Sequence, residues 1–290
     1  RRTLQYYWRS PLYIISRILL QICAALIISF SFYKHGTSIS GLQETIFSAF
    51  MICTLFVPLV HQITPLLTKQ HFIYETRERH TKTYSRLSLL LSIILTELLY
   101  QIILSICVWA SYYYPISGTT QSSPRQGLVL LFFIQFFIYA ITFALLAVPT
   151  STFITGICSF MALTFNGVMQ PPHALPGFWM FMYRVSPFTY FVAGVTSTQL
   201  HGVTVNCTRR EMAVFNPPSG QSCIEYLGDY LRTVPGQLRN PDAMRSCEYC
   251  PYSVADQFLA EREYRYDRRW MDFGVGWAFV GFNIGVAGLV

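Results

Sequence analysis

Six runs of about 20 predominantly apolar residues dominate this chain, and each is as long as a helix needs to be, at 1.5 Å per residue, to cross roughly 30 Å of hydrocarbon. They lie at 12–33, 46–67, 87–111, 128–148, 150–169 and 273–290. Lipid offers no partner to an unpaired backbone N–H or C=O, so all six are predicted to be helices. With 52% hydrophobic and only 12% charged residues, the composition is that of a membrane protein rather than a soluble domain. The formal charge of +7 is interrupted by the apolar runs and forms no stripe beside stacking aromatics, which argues against nucleic acid as a partner. A signal peptide has a short apolar core before a small-residue cleavage site, whereas run 12–33 is long enough to span, so it reads as an anchor. The chain opens on Arg1 and its last run stops without polar flanks, so it reads as a segment of a longer polypeptide with an incomplete sixth span.

Lysine and arginine in short loops mark the cytoplasmic side. Arg1, Arg2 and Arg9 precede the first span, and Lys69, Arg77, Arg79, Lys82 and Arg86 separate the second from the third. The two alternate connections hold only Lys34 and Arg125. The amino end is therefore expected inside and residues 170–272 outside. Pro149 joins spans four and five, which predicts a tight antiparallel hairpin. The polar, charge-mixed stretch 68–85 suits a short helix on the cytoplasmic surface that a partner grips. The chain thus divides into 1–169 (five spans with coupling segment 68–85), 170–272 (an outer segment) and 273–290 (the start of span six).

Cys23, Cys53, Cys107 and Cys158 fall in spans, whereas Cys207, Cys223, Cys247 and Cys250 fall in the outer segment. An oxidising exterior favours two disulfides among those four, with three pairings open. Cys247 and Cys250 lack the further soft ligands that zinc would need, so no metal site is assigned. Asn206-Cys207-Thr208 is a glycosylation sequon on the same expected side, its occupancy open because Cys207 can be locked in a bridge. The proline- and glycine-rich stretches 215–223 and 233–241 are turn chemistry for a compact outer domain. His61, His71, His80, His173 and His201 are scattered, and no paired carboxylates, H-E-x-x-H helix or activated nucleophile occurs, so no catalytic residue is assigned. Nearly charge-free spans also argue against an ion channel.

After the fifth run comes FNGVMQPPHALPGFWMFMYRVSPFTYF (165–191), in which a glycine ends a helix, a proline-rich turn follows and an aromatic amphipathic stretch returns, as in a re-entrant element. This run, the six-span layout, PPSGQSC at 217–223 and the cysteines at 247 and 250 closely resemble the membrane domain of ABCG-type ABC exporters. In detail they resemble the second transmembrane domain of fungal pleiotropic drug resistance transporters, over essentially the whole chain. The resemblance implies an all-α, six-helix ABC-2/ABCG-type transmembrane domain with a re-entrant segment and a disulfide-stabilised extracellular loop. It also implies a plasma-membrane efflux pump for hydrophobic small molecules, worked by alternating access. The partners would be a second membrane domain and nucleotide-binding domains on the same polypeptide, which carry ATP and Mg. No G-x-x-x-x-G-K-[ST] loop occurs, so this chain cradles no nucleotide phosphates of its own in that way.

In similar transporters the second and fifth spans line a central cavity. Phe50, Cys53, Phe56 and Val57, with Phe153, Ile157, Phe160, Leu163 and Thr164, recur at helical spacing on those spans and match that role, or else face lipid and neighbouring helices. Val168 and Met169 stand where the family has an apolar valve of paired leucines. Glu75, Arg77, Glu78 and Arg79 stand in the coupling segment. Glu97 lies mid-span, where a charge costs on the order of 3 kcal/mol. It corresponds to a family carboxylate and serves either a polar relay or packing through Tyr100, Gln101 or a neighbouring helix. Arg17, near the cytoplasmic end of span one, is expected to snorkel to the interface. An exporter of lipids, sterols or polysaccharides with the same fold is the alternative.

Overall fold

A computed structural model describes residues 5, 7–9, 11–34, 36–79, 81, 84–117, 123–148 and 152–289. Arg1, Arg2, Lys82, His80 and the expected hairpin turn at Pro149 lie outside the described residues. The long helices are α1 (Pro11–Ser31), α2 (Ile39–Thr54), α3 (Phe56–Ile73), α4 (Arg86–Ser117) and α5 (Ser123–Ala147). Helix α6 (Thr152–Thr164) is shorter, and α7 (Met180–Val185) and α8 (Pro187–Leu200) follow it. A lobe containing β1 (Ala213–Phe215), α9 (Cys223–Thr233), β2 (Gln237–Leu238), β3 (Cys247–Cys250) and α10 (Ala255–Glu261) precedes the last helix, α11 (Arg269–Leu289).

Among the described residues, four helical stretches are long and apolar enough to cross a membrane: Pro11–Ser31, Ile39–Glu78, Arg86–Ser117 and Ser123–Ala147. Helices α2 and α3 make up the second of these, with one turn residue, Leu55, between them. Pro58 causes that break, since it cannot donate to the carbonyl four residues back and its ring crowds it. The expected fifth span is corrected: α6 has 13 residues, about 20 Å at the helical rise, and stops at Thr164 rather than running to position 169. Span six begins at Arg269, before the apolar run proper. The 68–85 stretch is no separate helix either, because α3 runs on into a π turn at Tyr74–Glu78.

Sequence chemistry explains the core. Helix α5 is apolar around its whole circumference and is accordingly central, burying Phe132, Phe133, Phe136 and Phe137. Helix α8 crosses it closely at Gly194, where any Cβ would collide with the Phe132 ring. Helices α1 and α4 are tied by charge. Arg17, 4% exposed, pairs through Nη1 with Glu97 Oε2 at 2.8 Å, and Glu97 is fully buried. Tyr7 donates to Glu97 Oε1 at 2.6 Å and Tyr13 does so at 3.3 Å. Arg17 therefore does not snorkel: a buried carboxylate one helix away offers it more than the interface does. Glu97 finds its partners on the amino-terminal segment, not in Tyr100 or Gln101.

In the lobe, β3 is the central strand of a small antiparallel sheet, β1-β3-β2. Alternation along a strand sends positions 247 and 250 to opposite faces. Cys247 accordingly bridges to Cys223 at the start of α9, and Cys250 bridges to Cys207. Helix α9 begins with a reciprocal capping box between Ser222 and Glu225. The lobe docks on the α1–α2 turn, where Asn206 N donates to Thr37 O at 2.9 Å and Glu211 Oε1 accepts from Ser40 N at 2.8 Å. Partial burial opposes ionisation of Glu211, but the N–H groups of Thr208 and Ser40 override it and hold the carboxyl at about 2.

Removing one partner of a buried ion pair strands the other, at a cost of about 3–5 kcal/mol. Glu97→Leu should therefore lower the thermal stability of the detergent-solubilised protein sharply, and Arg17→Leu/Glu97→Leu should recover most of the loss. A double variant no more stable than the single one would contradict a mainly structural pair.

Candidate functional site

Leu55 leaves the helical path, and the next residue, Phe56, enters an aromatic cluster with Phe136, Tyr139, Phe143 and Phe188, its ring centroid 5.0–5.9 Å from theirs. One side of this cluster borders a cavity of about 710 Å³. Its walls come from α5 (Tyr139, Phe143), α6 (Ile157, Cys158), α8 (Phe188) and α11 (Phe279, Phe282), with Asn283 and Ser159 among its few polar groups. Asn283 Nδ2 donates to Thr142 Oγ1 at 3.3 Å, so part of its polarity is already satisfied by the protein. What remains is a concave, largely aromatic surface that gains energy from buried area with few directional bonds.

The turn after α6 returns the chain so that Met182, Val185 and Ser186 reach the wall of this cavity. Asn166 is fully buried, and its Oδ1 accepts from Val168 N at 3.1 Å. Gly167 has φ +84°, a conformation that strains any residue with a Cβ, and Tyr183 packs against it. The chain then doubles back along α6, and Ser186 Oγ donates to Ala162 O at 2.7 Å. Phe165 stacks on Trp179 at 4.7 Å, holding the return path to the helix it left.

The structure gathers only some of the sequence-predicted residues. Phe56 and Ile157 meet at the large cavity. Cys53 is fully buried in the core, and Phe50 is half-buried against it. Val57 lines a small crevice with His61, Thr155 and Ser159, where α3 meets α6. Phe153, Phe160 (67% exposed) and Thr164 lie on the open face of α6, and Leu163 is half-buried. Val168 is 3% exposed and Met169 64%, so the two valve positions face opposite environments. Glu75 pairs with Arg79 at 2.5 Å and lies 3.9 Å from His71, while Glu78 bonds the Tyr84 hydroxyl and Arg77 is exposed. The bond to Arg79 holds the Glu75 carboxyl below its ordinary value. Asn206 is exposed, and its Nδ2 donates to Thr37 Oγ1 at 3.2 Å. Sequence periodicity missed the α5 contribution, because a helix apolar on every side shows no preferred face. It missed α11 for a different reason: only the last run of the chain was visible, not what it packed against.

The chain matches the family model described as ABC-2 type transporter over residues 1–200. It is 54% identical to the ABC multidrug transporter atrI of Aspergillus fumigatus, covering 99% of this chain and 20% of that protein. It is 48% identical to the ABC-type transporter adrC of Penicillium roqueforti, with 98% and 20% covered. It is also 48% identical to the ABC multidrug transporter atrA of Aspergillus oryzae, with 99% and 20% covered. The chain thus spans about a fifth of the length of these curated relatives.

Phe56 packs into a core while Phe160 does not, so the two substitutions to alanine should separate. Phe56→Ala should lower folding stability by about 3–5 kcal/mol, as core aromatics do, seen as a lower unfolding temperature. Phe160→Ala should leave that temperature nearly unchanged. Equal losses would contradict the placement of both residues.

Proposed function

Because the chain belongs to the ABC-2 type transporter family, we propose that it is the membrane-spanning half of an ATP-driven efflux pump that exports hydrophobic small molecules. The cavity of about 710 Å³ is the observation that carries this reading. That volume falls within the range of small-molecule sites, and its aromatic, sparsely polar walls favour flat apolar cargo over any one hydrogen-bonding pattern. Broad selectivity follows from that chemistry, and two of the relatives are named as multidrug transporters.

The exposed stripe of Phe153, Ile157, Phe160 and Thr164 on α6 supports a second membrane domain as the partner across the cargo path. A buried Val168 beside an exposed Met169 supports a valve at the turn, with Met169 reaching toward the partner. Cargo enters the cavity, the two membrane domains close on it, and the valve opens to the far side. ATP and Mg belong to nucleotide-binding domains outside this sequence, where ATP hydrolysis supplies the driving force. This chain's part is to receive that motion through Glu75, Arg77, Glu78 and Arg79, on a segment continuous with α3. The charge pattern supports a cytoplasmic amino end in the plasma membrane, with the disulfide-linked lobe and the Asn206 sequon outside. Ile157 and Phe282, both exposed at the cavity wall, favour a second reading in which lipids or sterols are the cargo.

Cells expressing the intact parent polypeptide should accumulate less of a fluorescent hydrophobic dye than cells without it, and ATP depletion should abolish the difference. Equal accumulation across a broad dye panel would contradict the xenobiotic reading and favour lipid or sterol export.

A further inference from the structure

A pocket of about 30 Å³ lies where α3, α4, α5 and α11 converge beside the polar segment, away from the large cavity. Its floor is aliphatic, with Leu67 of α3, Leu90 and Ile93 of α4, Leu145 of α5 and Ala287 of α11. Its rim is basic: His71 near the end of α3 and Arg86 at the start of α4, with His71 Nε2 and Arg86 Nη2 3.5 Å apart. Arg86 opens a 32-residue helix, whose first N–H groups and dipole also favour a negative charge there.

The charge at this rim is only partly met from within, since Glu75 lies 3.9 Å from His71 and is itself held by Arg79. Among the described residues no carboxylate forms an ion pair with Arg86. Glu75 is engaged by Arg79 at 2.5 Å and by His71 at 3.9 Å, and Lys69 and Arg77 add positive charge on the same segment. Next to the rim, Leu87, Leu91 and Leu95 form an exposed apolar stripe along α4. A basic rim over an apolar floor, flanked by an apolar stripe, suits an amphiphile with a negative head better than a soluble anion or a neutral lipid.

We propose that this pocket binds the phosphate headgroup of an anionic phospholipid. Arg86 holds two phosphate oxygens in its planar fork beside His71, whose Nε2 accepts from Arg86 Nη2, and the acyl chains lie over Leu87, Leu91 and Leu95. A space of about 30 Å³ admits about two water-sized groups, so it takes phosphate oxygens at the rim and leaves the rest of the headgroup and the chains outside. The bound lipid bridges α3, α4 and α11 next to the segment assigned to coupling. That consequence rests on the efflux-pump reading, whereas the binding itself does not.

The test is titration of the full polypeptide, in neutral detergent, with mixed micelles of phosphatidylserine or of phosphatidylcholine, reading retained lipid by native mass spectrometry. Phosphatidylserine should bind about tenfold more tightly than phosphatidylcholine, a difference worth one decade in Kd. Arg86→Gln should erase that preference, while Arg245→Gln, which removes an equal charge from the lobe, should keep it. Leu90→Trp fills the pocket with its charges intact and should erase it too, which guards against a folding defect in Arg86→Gln. Equal retention of the two lipids by the unaltered protein, or an undiminished preference in Arg86→Gln and Leu90→Trp, overturns the proposal. Displacement of phosphatidylserine by inorganic phosphate alone would show a free-anion site and overturn the lipid assignment. No transport is measured, so failure here is distinct from failure of the efflux reading.

Discussion

A backbone amide in hydrocarbon has no water to turn to, and each place where this chain leaves the helical path must supply a substitute. The substitutes are visible. Asn166 Oδ1 accepts the Val168 N–H, Gln170 Nε2 donates to Ala174 O, and Ser186 Oγ donates to Ala162 O. These three bonds permit the chain to stop α6 early and double back through α7 into α8. The doubling back brings Phe188 against Phe56 and makes the large cavity concave. The same accounting holds for charge, since Arg17 and Glu97 each cover a group that lipid would leave exposed.

Outside the apolar helices, water is available and the bonds change character. The lobe has a thin core of its own, and two disulfides fix β3 to α9 and to the strand-like entry at Cys207. Glu211 then caps the start of α2 from outside that helix, so the lobe and the membrane helices share an ionic fastening. A second joint lies at the end of α8. There the His201 ring stacks on Tyr266 at 3.8 Å while Asp256 accepts from Gly202 N, and Arg269, the first residue of α11, packs over Tyr266. Movement of α8 is thereby tied to α11 through the lobe, on the two helices that line the cavity opposite α6.

The apolar runs were readable because lipid permits so little else, and all of the long helices fall where those runs lie. The end of span five was only partly readable: Gly167 signals a helix stop, but Phe165, Val168 and Met169 continue the apolar pattern around it, and the helix ends earlier, at Thr164. The disulfide pairing was closed to sequence because it depends on which strand sits between two others. The Arg17–Glu97 pair was hidden by distance along the chain, and each residue had a plausible local explanation. At the candidate site, Ile157 is the α6 residue chosen by spacing that lines the cavity, while Phe153, Phe160 and Thr164 lie on the open face. Spacing did not show Tyr139, Phe143 and Phe279, since their helices carry aromatic residues on several sides. Cys53 shares helical spacing with Phe50, Phe56 and Val57, yet it is fully buried in the core.

The central claim is that hydrophobic cargo occupies the cavity between α5, α6, α8 and α11. Cys158 is a free, exposed thiol on its wall, and Cys107 is a free thiol on α4, away from it. The direct measurement is the alkylation rate of each by a membrane-permeant maleimide in the intact transporter, followed by peptide mapping, with and without a saturating hydrophobic dye. The account predicts that the dye slows modification of Cys158 and leaves Cys107 unchanged; equal rates at Cys158 with and without dye would contradict it.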